Sequence, residues 1–145
     1  MTDQKSRTDN PGFRELLNMS IPADQNAIAS VADAVADKLR GLSLAEEKQL
    51  EIGLALQEAL ANAVVHGCNN DSSKTVTCSV MSDDNERVFI AVSDPGPGFN
   101  PGSLADPIMQ ENLQADHGRG IYLIRQLMDE VKFERGGQEI RMWKY

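Results

Sequence analysis

An α+β fold is what the sequence predicts: a two-layer sandwich in which three helices cover one face of a mostly antiparallel sheet. Three observations carry that expectation. Three segments repeat apolar residues at three- and four-residue steps, several others alternate at a period of two, and the alternating segments come in pairs joined by turn-forming residues. At 145 residues and 15.9 kDa the chain has the size of one domain, large enough to bury roughly two-thirds of its unfolded surface.

Residues 1–12, polar and without periodicity, read as a flexible N-terminal tail, and 13–145 as the single domain. The segment 13–21, "FRELLNMSI", fits a strand or a helix. From Pro22 the pattern is helical, with Ile28, Val31, Ala32, Val35 and Leu39 on one face and Gly41 at the C-cap position. A second helix is predicted from about Leu44 through His66, with Leu50, Leu54, Ala61 and Val65 as its apolar positions and Gly67 as its end. Two strand-like runs, "KTVTCSVMS" and "RVFIAVSD", flank the turn-forming "DDNE". Residues 95–116 then hold four prolines, three glycines and no apolar period, a connection long enough to suggest a functional lid. A third helix carries Ile121, Ile124, Leu127 and Met128, and a last hairpin, "EVKFER" and "QEIRMWKY", is expected to turn at Gly136-Gly137.

Net charge is −8 with a pI near 4.7, and the 14 basic residues are scattered, which argues against direct nucleic-acid binding or an anionic membrane surface. Cys68 and Cys78 are too few for a disulfide framework, no segment reads as a signal peptide, and no apolar run is long enough to span a bilayer. A reduced cytoplasm is the expected compartment.

Three motifs remain, each weak by itself. In "QEALANAVVHG", Glu58, Asn62 and His66 recur every four residues and form one polar stripe on an otherwise apolar helix, a pattern that solvent exposure alone also explains. In "SDPGPGF", Asp94 follows a strand; an aspartate there can accept a hydrogen bond from a ligand, and Gly96 and Gly98 let backbone approach closely, although Asp-Pro and Pro-Gly are also ordinary turn chemistry. In "HGRGIYLI", Gly118 and Gly120 precede a predicted helix, whose N-terminus suits phosphate, and Arg119 adds a fork of donors. Together the motifs match the parts of a nucleotide. The Walker-type loop and the eukaryotic-type protein-kinase signatures are both absent from the sequence.

In this order the motifs resemble those of the GHKL ATPase superfamily. "EALANAVVHG" is similar to its N box, "DPGPGF" to its first glycine box and "HGRGIYLI" to its second. Within it, the E-A-x-x-N-A-x-x-H-G pattern of residues 58–67 resembles most closely the bacterial serine-protein kinases that double as anti-sigma factors, single domains of the Bergerat ATP-binding fold. The resemblance implies ATP and Mg2+ as cofactors. It implies Glu58 as the base that takes the proton of a substrate serine and Asn62 as the magnesium ligand, chemistry that suits phosphoryl transfer by positioning and charge neutralisation. Asp94 would accept from the adenine amino group, Gly98 would make room for the ring, and Gly118 and Gly120 would line the triphosphate. Gly96, Phe99 and Ile121 complete the implied nucleotide set by their places in the glycine boxes. His66 matches the family's histidine, and capping helix carbonyls and holding the lid are equally open roles for it. Residues 99–117 contain no lysine or arginine, which leaves Arg119 as the nearest cation for the γ-phosphate.

The expected function is therefore an ATP-dependent serine-protein kinase that phosphorylates an anti-anti-sigma partner of the STAS type and sequesters a sigma factor. The alternative is an ATP-regulated binding module of the same fold without turnover. Relatives pair through their first strand and helix, so a homodimer is also implied by the resemblance.

Overall fold

The computed structural model describes residues 12–95 and 116–145, with the backbone alone for 116–119 and Gly137. The tail 1–11, most of the expected lid, and with them Gly96, Gly98 and Phe99, lie outside the described residues. The elements run β1 (Arg14–Pro22), α1 (Gln25–Arg40), α2 (Glu46–Asn62), a π turn (Ala63–Gly67), β2 (Thr75–Ser82), β3 (Val88–Ser93), α3 (Asp116–Leu127), β4 (Glu130–Glu134), a 3-10 turn (Arg135–Gly137) and β5 (Glu139–Lys144). The five strands form one sheet in the order β1-β2-β3-β5-β4, every neighbouring pair antiparallel, so the expected α+β architecture is observed.

Period-two alternation decides which face of the sheet is covered. Leu17, Val80, Ile90, Met142 and Val131 stand opposite one another in a row across all five strands, and all pack in the core. The adjacent row on the opposite face is Glu15, Met81, Phe89, Trp143 and Glu130. Against the first face pack Val31, Val35 and Leu39 of α1, Ile52, Leu56 and Leu60 of α2, and Ile124 of α3. The β1 segment, ambiguous in sequence, becomes a strand because it finds a partner. It pairs with β2 from Arg14 to Pro22, with a bulge between Glu15 and Leu17.

Several sequence expectations need correction. Leu50 and Leu54 do not belong to the buried face of α2: they are 64% and 42% exposed, and the buried set is Ile52, Ala55, Leu56, Ala59 and Leu60. A helix that contacts the sheet, α1 and α3 is apolar over most of its circumference, so its apolar positions alone do not say which side faces in. The last hairpin does not turn at Gly136-Gly137 as a two-residue loop. Arg135 and Gly136 take positive φ (57° and 67°) and Gln138 N–H donates to the Arg135 carbonyl, so four residues separate the paired Glu134 and Glu139. Helix α3 starts at Asp116, which places Gly118 and Gly120 in its first turns instead of before it. Cys68 and Cys78 are buried free thiols, the latter pushed up to about 12 by burial. Among the described residues, no helix is long and apolar enough to cross a membrane.

Candidate functional site

The site is built where α2 meets α3. Glu58 and Asn62, one helical turn apart, face the same way, and Gly120 lies directly against them. A Cβ at Gly120 would sit 3.2 Å from both side-chain amide atoms of Asn62 and 3.2 Å from Glu58 Oε2. The absent side chain is what lets the two helices close on this pair. Beside the contact opens a cavity of about 360 Å³ lined by Glu58, Ala61, Asn62, Val65, His66, Gly120 and Leu123, within the size range of small-molecule sites. Its lining combines the polar Glu58, Asn62 and His66 with the apolar Ala61, Val65 and Leu123.

At Ala63 the helix leaves α geometry and completes a π turn to Gly67. Single π turns hold one extra residue per turn and are frequent at functional sites. His66 sits in this turn and still lines the cavity, although the four-residue spacing that suggested it assumes an unbroken α-helix. Directly after it, Gly67 meets Asp94 at the end of β3: a Cβ there would lie 2.5 Å from both carboxylate oxygens. Asp94 is half-buried and tied to the last hairpin by its N–H, which donates to the Gln138 carbonyl at 2.9 Å. Cys68 is buried beside it, and burial first, then the Asp94 charge, push its thiol up.

The structure thus brings Glu58, Asn62, His66 and Gly120 to one cavity and seats Asp94 against the turn that follows it. Ile121 is buried and does not line the cavity. Gly118 and Arg119 fall in the first turn of α3, with the Arg119 side chain outside the described residues. In the sequence Gly67 reads only as a helix end, and Ala61, Val65 and Leu123 do not read as cavity residues. Gly67 stands in the E-A-x-x-N-A-x-x-H-G pattern itself, and that was the available signal; the apolar lining has none, because alanine, valine and leucine are as common in cores.

The donors fit a nucleotide with magnesium. Among the described residues, no group of three or more His, Cys, Asp or Glu is placed to hold a metal. A single amide oxygen beside a carboxylate suits an ion that takes its remaining ligands from phosphates and water.

A family described as "histidine kinase-like ATPase domain" matches residues 21–144. The chain belongs to that family. Membership of the histidine kinase-like ATPase domains implies use of ATP. The domain is 26% identical over 138 residues to "Serine-protein kinase RsbW" of Bacillus mycoides (strain KBAB4), covering 90% of this chain and 85% of that protein. To the protein of the same name from Bacillus cereus (strain Q1) it is 25% identical over 138 residues, with the same coverage. Among solved structures, the fold is similar to that of the RsbU and RsbW domains of Rv1364c from Mycobacterium tuberculosis, with a TM-score of 0.61 and 18% identity over 88% of this chain and 30% of that one. It is also similar to the histidine kinase domain of the Erythrobacter litoralis EL346 blue-light activated histidine kinase, with a TM-score of 0.51 and 21% identity over 85% of this chain and 59% of that one.

Proposed function

We propose that the protein is an ATP- and magnesium-dependent serine-protein kinase that acts as an anti-sigma factor, phosphorylating an anti-anti-sigma partner of the STAS type and sequestering a sigma factor in the cytoplasm. The observation that carries the reading is the close seating of Gly120 on Glu58 and Asn62 at the edge of the cavity. It gives one carboxylate and one amide a shared position against the second glycine motif. The relatives named serine-protein kinase supply the direction of the chemistry.

In this reading the cavity takes ATP. Asp94, backed by Gly67, accepts from the adenine amino group; Gly96, Gly98 and Phe99 belong to the same ring site by motif; Gly118 and Gly120 line the phosphates, and Arg119 is the cation for the γ-phosphate. Magnesium, when bound, neutralises phosphate charge, and Asn62 offers it an oxygen. Glu58 is the base for the serine hydroxyl, so that the hydroxyl oxygen forms its bond to phosphorus as the bond to ADP breaks. His66 holds the end of the helix or the segment that covers the nucleotide.

The test incubates the purified protein with magnesium, labelled ATP and its candidate anti-anti-sigma partner. Label is expected to pass to a serine of the partner, and Glu58→Ala is expected to abolish transfer while nucleotide binding persists. Equal transfer by that variant removes Glu58 from the base role. Wild-type ATP binding without any transfer, together with partner binding, instead identifies an ATP-regulated binding module.

A further inference from the structure

At the end of α3 farthest from the cavity, a buried lysine joins three elements. Lys144, near the end of β5, is 8% exposed. Its ammonium donates to the Leu127 carbonyl at 2.5 Å and lies 3.2 Å from Glu51 Oε1 of α2. A cation on the last carbonyls of a helix is favourably placed against its dipole, and a charge so buried is held only where it is paired. The strand end that carries it is itself fastened: Tyr145 N–H donates to Asp129 Oδ2 at 2.7 Å, and Asp129 N–H donates to the Trp143 carbonyl at 2.9 Å.

The spacing of these contacts links them to the site. Glu51 stands seven residues before Glu58 on α2, and Leu127 seven residues after Gly120 on α3. The helices are therefore antiparallel neighbours tied at two levels about 10 Å apart, two turns of helix. One level is the Gly120 contact with Glu58 and Asn62, and the other is the Glu51–Lys144–Leu127 junction. Apolar packing through Ile121, Ile124 and Met128 holds α3 on the core but is weakly directional along the axis. The junction is directional, and a helix transmits an axial shift nearly undiminished over two turns. At Gly120 the fit already excludes a side chain, since a Cβ there would lie 3.2 Å from Asn62 and Glu58, so an axial shift of α3 changes which backbone atoms face that pair.

We propose that Lys144, oriented by Glu51, is a positioning residue: it sets the axial position of α3, and thereby how Gly120 lies on Glu58 and Asn62. The inference rests on the reading of the cavity as the ATP site for its binding readout, but not for its spectroscopic one.

The test compares the full-length wild type with Glu51→Gln, which keeps volume and an acceptor, and Lys144→Met, which removes the ammonium. In 1H–15N spectra without nucleotide, the Gly120 amide and the Asn62 side-chain amide are expected to shift in both variants. In calorimetric titrations with ATP and magnesium, loss of a charged hydrogen bond predicts affinity about tenfold weaker in Lys144→Met and about threefold weaker in Glu51→Gln. A merely structural junction lowers the melting temperature and moves neither readout. Where Lys144→Met does not fold, Glu51→Gln decides. Unmoved Gly120 and Asn62 resonances, or wild-type ATP affinity in a folded variant, overturn the proposal. Failure of the wild type to bind ATP counts against the ATP reading alone, and the resonances then decide the role of Lys144.

Discussion

At the scale of single residues, the site depends on two absences. Gly67 and Gly120 matter for the side chains they lack: each leaves the place that a carboxylate or amide occupies. The Gly67 contact is the more demanding, since a Cβ at 2.5 Å from the Asp94 oxygens is incompatible with the observed position of that side chain. Gly67→Ala is therefore expected to displace Asp94 and weaken ATP binding at least about tenfold, the cost of one hydrogen bond to a charged group. Calorimetric titration checks this, with circular dichroism to confirm the fold; wild-type affinity would show that Asp94 does not read the nucleotide. Glu58, Asn62 and Asp94 stand out in the chain because their motifs are short and ordered. That Gly67 serves Asp94 does not, because the two are 27 positions apart in the chain and meet only where the π turn folds against the end of the central strand β3.

At the scale of elements, the hairpin between β2 and β3 shows how a buried charge is made stable. Asp83 accepts from the N–H groups of Asn85 and Arg87 at 3.0 and 2.9 Å and from Arg87 Nε at 2.7 Å, while the Arg87 guanidinium lies over the Phe13 ring at 5.9 Å. Burial acts to raise the Asp83 carboxyl, but the hydrogen bonds and charge of Arg87 outweigh it and hold the group below its ordinary 3.8. A carboxyl depressed in the folded state stabilises above its unfolded pKa, and that stability is lost as pH falls through the depressed value. Asp83→Asn is thus expected to cost about 1.5–3 kcal/mol at pH 7. The difference from wild type should narrow below about pH 4. Urea titrations of both proteins at the two pH values measure it; a gap independent of pH would assign the effect to packing. The turn signal "DDNE" was readable in the chain, whereas the ionic network within it depends on Arg87 reaching back over Asp83.

At the scale of the whole molecule, the layers are decided by what each helix finds beneath it. Helix α2 carries apolar residues on nearly every side, and the fold buries Leu56 completely while leaving Leu50 64% exposed. Leu56→Ala is expected to lose about 2–5 kcal/mol through lost transfer energy and a cavity, and Leu50→Ala less than about 0.5 kcal/mol. Equilibrium unfolding of the two variants separates them, and comparable losses would overturn the assignment of faces. The sequence by itself determined the α+β class, most element positions and the three ordered motifs, because periodicity, turn chemistry and motif spacing are local properties. Only the tertiary structure decided that 13–21 is a strand, which side of α2 is buried, that α3 begins before its glycines, and that Gly67 meets Asp94 and Lys144 meets Leu127. The strand at 13–21, the buried side of α2 and the two meetings are set by contacts between residues distant in the chain, and a local pattern carries no record of them.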